Sequence, residues 1–222
     1  MKADHRTRLA PAFRWGAVLL LGIAYSIAAY RASAGPADQA GALVAIVPLL
    51  ALAFVMAWRS SHRTALLLAC VAACVAVYLA RDWLVAHYNW VFLLQHAGIH
   101  ALLGVAFGRT LAAGHTPLVT GLARIVHRTV SPALVAYTRG VTWAWTCYFG
   151  AITALSLLVF ALTPIAVWSA FANFATPVLL VLMFAGEYAV RCVVLPAADR
   201  VGPLEAIRAW REASSAGTAQ QP

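Results

Sequence analysis

Apolar residues fall in six long runs along the chain, separated by short breaks that carry charge, proline or glycine. A helix of about 20 apolar residues crosses the hydrocarbon core of a bilayer, which is ~30 Å thick. The pattern therefore predicts an all-α protein, a polytopic membrane helix bundle of about six transmembrane helices. The predicted spans are 15–30, 41–58, 64–80, 90–107, 141–162 and 174–195, with loops that include 84–89 and 163–173.

The interval between the fourth and fifth runs has a different pattern. Thr116 and Pro117 combine an N-cap residue with a proline at the first helical position. Apolar and polar residues then recur at helical spacing as far as Pro132, which predicts an amphipathic interfacial helix over 116–131. Its apolar face holds Leu118, Leu122, Ile125, Val126 and Val130, and its polar face holds Thr120, Arg124, His127, Arg128 and Ser131.

The composition excludes a soluble globular protein. Of the 222 residues, 63% are hydrophobic and 10% are charged, whereas a soluble domain has about 25% charged residues. The net charge of +9 comes from fifteen arginines and a single lysine. In a soluble protein this charge would suggest a nucleic acid, but membrane topology accounts for it here, so no nucleic-acid partner is predicted.

The distribution of this charge predicts the orientation. Six spans place both termini on one side, and fourteen of the sixteen Lys and Arg residues fall there, leaving Arg31 and Arg81 on the other. Because cationic loops remain in the cytoplasm, we predict a bacterial inner-membrane protein with a basic cytoplasmic N-terminus (1–14) and a cytoplasmic tail (196–222). Such loops meet anionic lipid, so membrane lipids are predicted partners.

The first run has two interpretations. The sequence Ala32-Ser33-Ala34 fits a signal-peptidase site after a basic start and a short apolar core. The alternative is an uncleaved first span, which is favoured because Tyr25, Tyr30 and Arg31 resemble an interfacial end.

Polar side chains at membrane depth mark a candidate site in the fourth run. Such groups are costly in hydrocarbon and usually face a protein interior or a cavity. His96 and His100 are four residues apart and share one helix face, and Glu187 of the sixth run is expected at a depth similar to that of His100. The candidate polar intramembrane site therefore comprises Gln95, His96, His100 and Glu187.

This site has competing interpretations. One interpretation is a buried hydrogen-bonded network or a polar cavity. The other is a metal site, but zinc needs three or four ligands and the two histidines on one helix supply only two. We predict no metal and no cofactor. Arg191 lies one turn after Glu187, in the order that favours an ion pair, and the alternative for Glu187 is an acid that exchanges a proton.

A stripe of hydroxyls in the fifth run is expected to bond across helices or to its own backbone, or else to line a substrate path; it comprises Thr142, Thr146, Thr153 and Ser156.

Two further groups of residues are assigned from their spacing. Gly104 and Gly108 continue the histidine face as a GxxxG pattern, which lets another helix approach closely. A basic cytoplasmic face is expected to bind lipid headgroups or to dock an acidic protein; it comprises Arg109, Arg124, His127, Arg128 and Arg139. The four cysteines are interpreted as small buried apolar side chains.

Segments from 92 to 149 resemble a family of small bacterial inner-membrane proteins. The resemblance is carried by Gln95-His96-Ala97-Gly98-Ile99-His100, Phe107-Gly108-Arg109-Thr110-Leu111, Pro117-Leu118-Val119-Thr120 and Tyr137-Thr138-Arg139-Gly140-Val141-Thr142-Trp143. Members of that family are encoded beside the enzymes of aryl-polyene and xanthomonadin-type pigment synthesis, and some carry the label ketosynthase. A condensing enzyme needs an activated cysteine with histidine partners, and Cys147 is near a predicted membrane interface without them.

The resemblance implies a role in pigment biosynthesis. It is that of an accessory membrane protein that assembles or handles a lipid-linked product, with an acyl carrier protein or polyene synthesis enzymes as partners. A transporter or flippase of such a product is the first alternative. A membrane acyl-transfer enzyme with His96 or His100 as its base is the second.

Overall fold

The structure, a computed structural model, describes residues 4–35, 39–126 and 130–196, with side chains from Gly16 onward except that of Val126. Regular structure within these residues is entirely helical. The helices are α1 (Asp4–Ala34), α2 (Gln39–Arg59), α3 (Arg63–Leu79), α4 (Arg81–Arg109), α5 (Leu118–Val126), α6 (Pro132–Leu162), α7 (Ile165–Ala170) and α8 (Thr176–Val194), with a π-helical turn (Phe171–Ala175) between α7 and α8.

Five helical segments of the described chain are long and apolar enough to cross a membrane. They are Gly16–Ala34, Gln39–Arg59, Arg81–Arg109, Pro132–Leu162 and Ile165–Val194. The third predicted span corresponds to α3, an apolar helix of 17 residues that is shorter than the others. Large apolar side chains such as Leu21 and Val193 are 72% and 83% exposed, an exterior compatible with a multi-pass membrane protein.

The helices extend beyond several of the predicted ends. α1 begins at Asp4, within the predicted polar N-terminus, and α4 includes the predicted loop 84–89. Most of the predicted loop 163–173 is helical. The reason is that hydrophobicity marks the part of a helix within lipid, whereas a helix ends at glycine, proline or a cap, and 81–89 contains neither glycine nor proline.

The predicted end of the interfacial helix at Pro132 is also the start of α6. The Ser131 hydroxyl accepts a hydrogen bond from the Leu134 backbone N–H at 3.1 Å, so Ser131 caps α6 and Pro132 occupies its first position. α5 covers Leu118–Val126 of the predicted 116–131, and 127–129 and the tail from 197 lie outside the described residues.

The chain forms two compact units, and the first comprises residues 1–96 and 156–177. Its packing depends on close approach: a Cβ on Gly41 would lie 2.9 Å from Cζ of the buried Tyr88. The Tyr88 hydroxyl donates to the Ala32 carbonyl. Ser33 is buried, donates to the Ala29 carbonyl at 2.7 Å and shares a hydrogen bond with Ser169. The end of α1 is therefore packed into this unit.

The second unit comprises residues 97–155 and 178–222. Its core is the buried row Val141, Trp145 and Phe149 of α6. Side chains from α4, α5 and α8 pack against this row, among them Leu103, Phe107, Val119, Leu180 and Met183.

None of the four cysteines is buried, contrary to the prediction. Cys70 and Cys192 are partly exposed, and Cys74 and Cys147 are exposed. A thiol on an apolar helix face is compatible with lipid as well as with a protein core, so apolar surroundings in the sequence did not distinguish the two.

Candidate functional site

His96 is the centre of a hydrogen-bonded cluster in the first unit. Its Nδ1 lies 2.9 Å from the Ser156 hydroxyl, and its Nε2 lies 3.1 Å from the Thr176 hydroxyl. Trp168 donates from its indole N–H to the same Ser156 oxygen at 3.1 Å. Ser156 and Trp168 are almost completely buried, so this cluster, which we name the His96 cluster, is an interior polar network.

The chemistry of these groups constrains the directions of the bonds. An indole N–H only donates, so Ser156 accepts from Trp168, and in the Nε2–H tautomer of the imidazole the Ser156 hydroxyl donates to His96 Nδ1. His96 Nε2 then carries the proton and donates to Thr176, whose hydroxyl donates to the Phe171 carbonyl at 3.1 Å. In this tautomer each of these buried groups has a hydrogen-bond partner.

A π-helical turn positions one end of the His96 cluster. The Thr176 backbone N–H bonds to the Phe171 carbonyl, as its hydroxyl does. The rings of Phe171 and Trp168 lie edge-on to the imidazole, with centroids 5.9 Å and 6.2 Å from it. Such turns occur mostly as single insertions, often at functional sites, and this one places Thr176 against the histidine.

The described contacts of Gln95 and His100, the other candidate site residues of α4, differ from those of His96. Gln95 donates from its side-chain amide to the Ala45 carbonyl of α2, within the first unit. His100 belongs to the second unit, where its ring centroid lies 6.1 Å from that of Phe149.

Glu187 takes part in a network within the second unit. Arg191 donates to both of its carboxylate oxygens, at 2.8 and 2.9 Å, which forms the expected ion pair. The Tyr137 hydroxyl also lies 2.9 Å from one carboxylate oxygen and bonds to it. The carboxylate side chain is 10% exposed. A common interior of His96, His100 and Glu187 stays a prediction, since the described contacts of Glu187 are with Tyr137 and Arg191.

The two glycines of α4 face α6. A Cβ on Gly104 would lie 3.4 Å from Cβ of Phe149, and one on Gly108 would lie 3.2 Å from Cγ2 of Thr146. The structure thus places α6 against both glycines, at ordinary contact distance from a Cβ on Gly104 and slightly closer than that for a Cβ on Gly108.

The hydroxyl stripe of α6 makes both kinds of bond that were expected. Thr142, Thr146 and Thr153 each donate to the backbone carbonyl four residues earlier, at 2.8 Å. Ser156 instead bonds across to His96. Ser156 is therefore the member of the stripe that belongs to the His96 cluster.

Arg109, Arg124 and Arg139 of the basic face are exposed, while His127 and Arg128 lie outside the described residues. The Thr120 hydroxyl on α5 is buried and lies 2.7 Å from that of Thr138 on α6. Thr116 was predicted to cap α5, but Thr110 and Thr142 accept its first N–H groups, at 3.0 and 3.3 Å. α5 is thus held by neighbouring elements of its unit.

Three partners in these networks were not anticipated: Tyr137, Trp168 and Thr176. In the sequence, Tyr137 and Trp168 cannot be distinguished from other aromatic residues of a membrane protein. Thr176 is followed by Pro177, a pair that indicates the start of a helix. Among the described residues, no three His, Cys, Asp or Glu side chains come together in a way that would hold a metal ion.

No protein-family model, curated protein or solved structure matches the chain.

Proposed function

We propose that the chain is a multi-pass protein of the bacterial inner membrane that serves aryl-polyene-type lipid pigment biosynthesis as an accessory protein. In this proposal it has six spans, with α3 as the third, and both termini are cytoplasmic. It handles a lipid-linked product together with an acyl carrier protein or polyene synthesis enzymes. The resemblance of residues 92–149 carries the pigment assignment, and the charge asymmetry carries the orientation.

The hydrogen bonds of the polar groups support an accessory role over catalysis. The Ser156 hydroxyl is fully buried and is committed to His96, which in turn is committed to Thr176. Arg191 neutralises the Glu187 carboxylate. Hydrogen-bonded groups that are this deeply buried hold helices together, and Ser156, which is 0% exposed, has no surface that a substrate can reach.

Deletion of the gene tests the proposal. We expect the deletion strain to make little or no pigment lipid, and the wild-type gene on a plasmid to restore it. The measurement is the amount of pigment lipid in the separated inner and outer membranes. A normal amount in both membranes would refute the proposal, and a normal amount trapped in the inner membrane would favour a transporter or flippase.

The second candidate function, a membrane acyl-transfer enzyme, has one observation in its favour. The distance of 2.9 Å between Ser156 and His96 suits a nucleophile and its base, with Thr176 orienting the imidazole. An enzyme predicts that Ser156→Ala abolishes the pigment even where the protein is folded and inserted. Full pigment output from a His96→Ala/His100→Ala double variant would exclude a functional role for either histidine.

A further inference from the structure

A groove runs between α2 and α3 in the first unit. It has a volume of about 640 Å³ and is lined by apolar side chains and thiols that include Phe54, Leu67, Cys70, Cys74 and Tyr78. Its lining residues follow one face of α3 because they recur at three- and four-residue spacing.

The length of the groove matches one leaflet. The twelve residues from Leu67 to Tyr78 rise ~16 Å along α3, about half of the ~30 Å hydrocarbon core. An acyl chain of a single lipid has this depth, whereas a partner helix that crossed the membrane would need a groove about twice as long.

The two ends of the groove differ in charge. At the turn between α2 and α3, Arg59 and Arg63 are exposed and have no ion-pair or hydrogen-bond partner within the described residues. The stretch 39–79 contains no Asp or Glu. Arg63 lies one turn before Leu67, so it continues the groove face.

The charge at the opposite end is already compensated. Arg81 lies over the Tyr78 ring, 5.1 Å from its centroid, and pairs with Asp82 at 3.4 Å. A phosphate is therefore favoured at the turn, where guanidinium groups bind its oxygens by charge-assisted hydrogen bonds.

We propose that this groove binds one acyl chain of an anionic phospholipid, with the lipid phosphate held by Arg59 and Arg63. The site is independent of the proposed role in pigment synthesis. Its ligand class follows from the apolar lining, the length of one leaflet and the unpaired positive charge at one end.

Photolabelling of the purified full-length protein in nanodiscs tests the site. The probe is phosphatidylglycerol with a photoactivatable diazirine at the middle of one acyl chain, and labelled peptides are located by mass spectrometry. We expect labelling concentrated on 67–78 and near Phe54. The phosphatidylcholine analogue should label these peptides less.

Two sets of matched variants locate the headgroup and the chain. Arg59→Gln and Arg63→Gln should each reduce labelling by about fivefold, since a basic residue near an anionic lipid contributes ~1 kcal/mol, and Arg81→Gln should leave it unchanged. Val71→Trp fills the groove and should abolish labelling, whereas Leu68→Trp, which adds the same ring off the lining of α3, should not.

Three results would overturn the proposal. Equal labelling of all membrane helices would mean ordinary annular lipid. Undiminished phosphatidylglycerol labelling of the Arg59→Gln and Arg63→Gln variants, or equal labelling of the wild-type protein by both lipids, would exclude an anionic headgroup site, and these exposed substitutions do not depend on repacking of the groove. A disulfide between Cys70 or Cys74 of two copies on mild oxidation, without lipid labelling, would show that a second copy occupies the groove.

Discussion

Ser156 is the residue of the His96 cluster that bonds to both Trp168 and His96. It accepts from Trp168 and shares a hydrogen bond with His96 Nδ1, so its removal would take a bonding partner from an indole N–H and from an imidazole nitrogen in the interior. An unsatisfied buried polar group costs about 1–3 kcal/mol. A threonine that bonds to its own backbone has no such role.

Ser156→Ala is therefore expected to lower the free energy of unfolding by ~1–3 kcal/mol. Thr153→Val is the matched control, because Thr153 lies one turn earlier on α6 and donates to the Phe149 carbonyl, and its change should be smaller. Both values come from reversible unfolding in mixed micelles. An equal effect of the two variants would contradict the bond to His96.

Glu187 and Arg191 form an ion pair in which each side chain neutralises the charge of the other. We expect Glu187→Leu to destabilise the protein more than Tyr137→Phe, which removes one hydrogen bond worth about 0.6 kcal/mol in membrane helices. The reason is that Arg191 loses its counter-charge. Arg191 lies one turn from the end of α8, so part of the loss is recovered when its side chain extends toward the headgroups.

The double variant Glu187→Leu/Arg191→Leu provides the control for this pair. With both charges removed, no unpaired ion remains, and stability should exceed that of Glu187→Leu alone. The same unfolding measurement applies. A double variant less stable than the single one would show that Arg191 has a separate structural role.

At the scale of elements, the sequence predicted where the apolar helices lie along the chain better than where they end. The six apolar runs each coincide with helical residues to within one residue at their ends, because hydrophobic length is a local property. The residue at which α4 begins and the position of the π turn are not marked by hydrophobicity, because they depend on how the complete helix packs. The caps of α5 come from Thr110 and Thr142, which folding brings to its N-terminus, so the local Thr116 pattern misidentified them.

The same distinction applies to the candidate site. Polar residues at membrane depth identified His96 and Glu187 as groups that need partners. Their partners Trp168, Thr176 and Tyr137 depend on the rotation of each helix about its axis, which a single hydrophobic run specifies poorly. Arg191 was predicted because an i,i+4 pair lies within one helix.

α5 presents a mixed surface that suits docking or adhesion. Leu122 and Ile125 are 47% and 46% exposed beside the exposed Arg124. We expect an acidic acyl carrier protein to bind this face in uncharged detergent, with affinity that falls as salt is added. Arg124→Glu/Arg128→Glu should weaken the binding, measured by surface plasmon resonance.

Arg81→Glu is the control for this charge reversal, since Arg81 lies on the face predicted to be periplasmic. Binding of the carrier to the α5 variant with unchanged affinity, or no binding to the wild-type protein, would leave lipid adhesion as the account of the basic residues.

At the scale of the whole molecule, the breaks between the observed helices are the best positions for reporter fusions that test the topology. Reporter fusions after Gly35, Ser61, Ala80, Gly114, Pro164 and Pro222 should report periplasm, cytoplasm, periplasm, cytoplasm, periplasm and cytoplasm. The reason is the charge asymmetry between the two faces. A periplasmic C-terminus would contradict six spans, as would a cytoplasmic report at Ala80.

The first helix is expected to remain in the mature protein. Ala32 and Ser33 lie in the last turn of α1 and bond to Tyr88 and Ser169, so they belong to the packing of the first unit. Mass spectrometry of the purified protein should detect peptides from residues before Ala34. An N-terminus at Gly35 would show cleavage.

The exposed cations of the described loops and helix ends have a consequence for regulation. Arg59, Arg63, Arg109, Arg124 and Arg139 are all arginines, and the single lysine of the chain is Lys2. Acetylation neutralises lysine and leaves arginine charged, and arginine keeps its proton at physiological pH. The positive charge at these positions is therefore constitutive, because lysine acetylation cannot remove it.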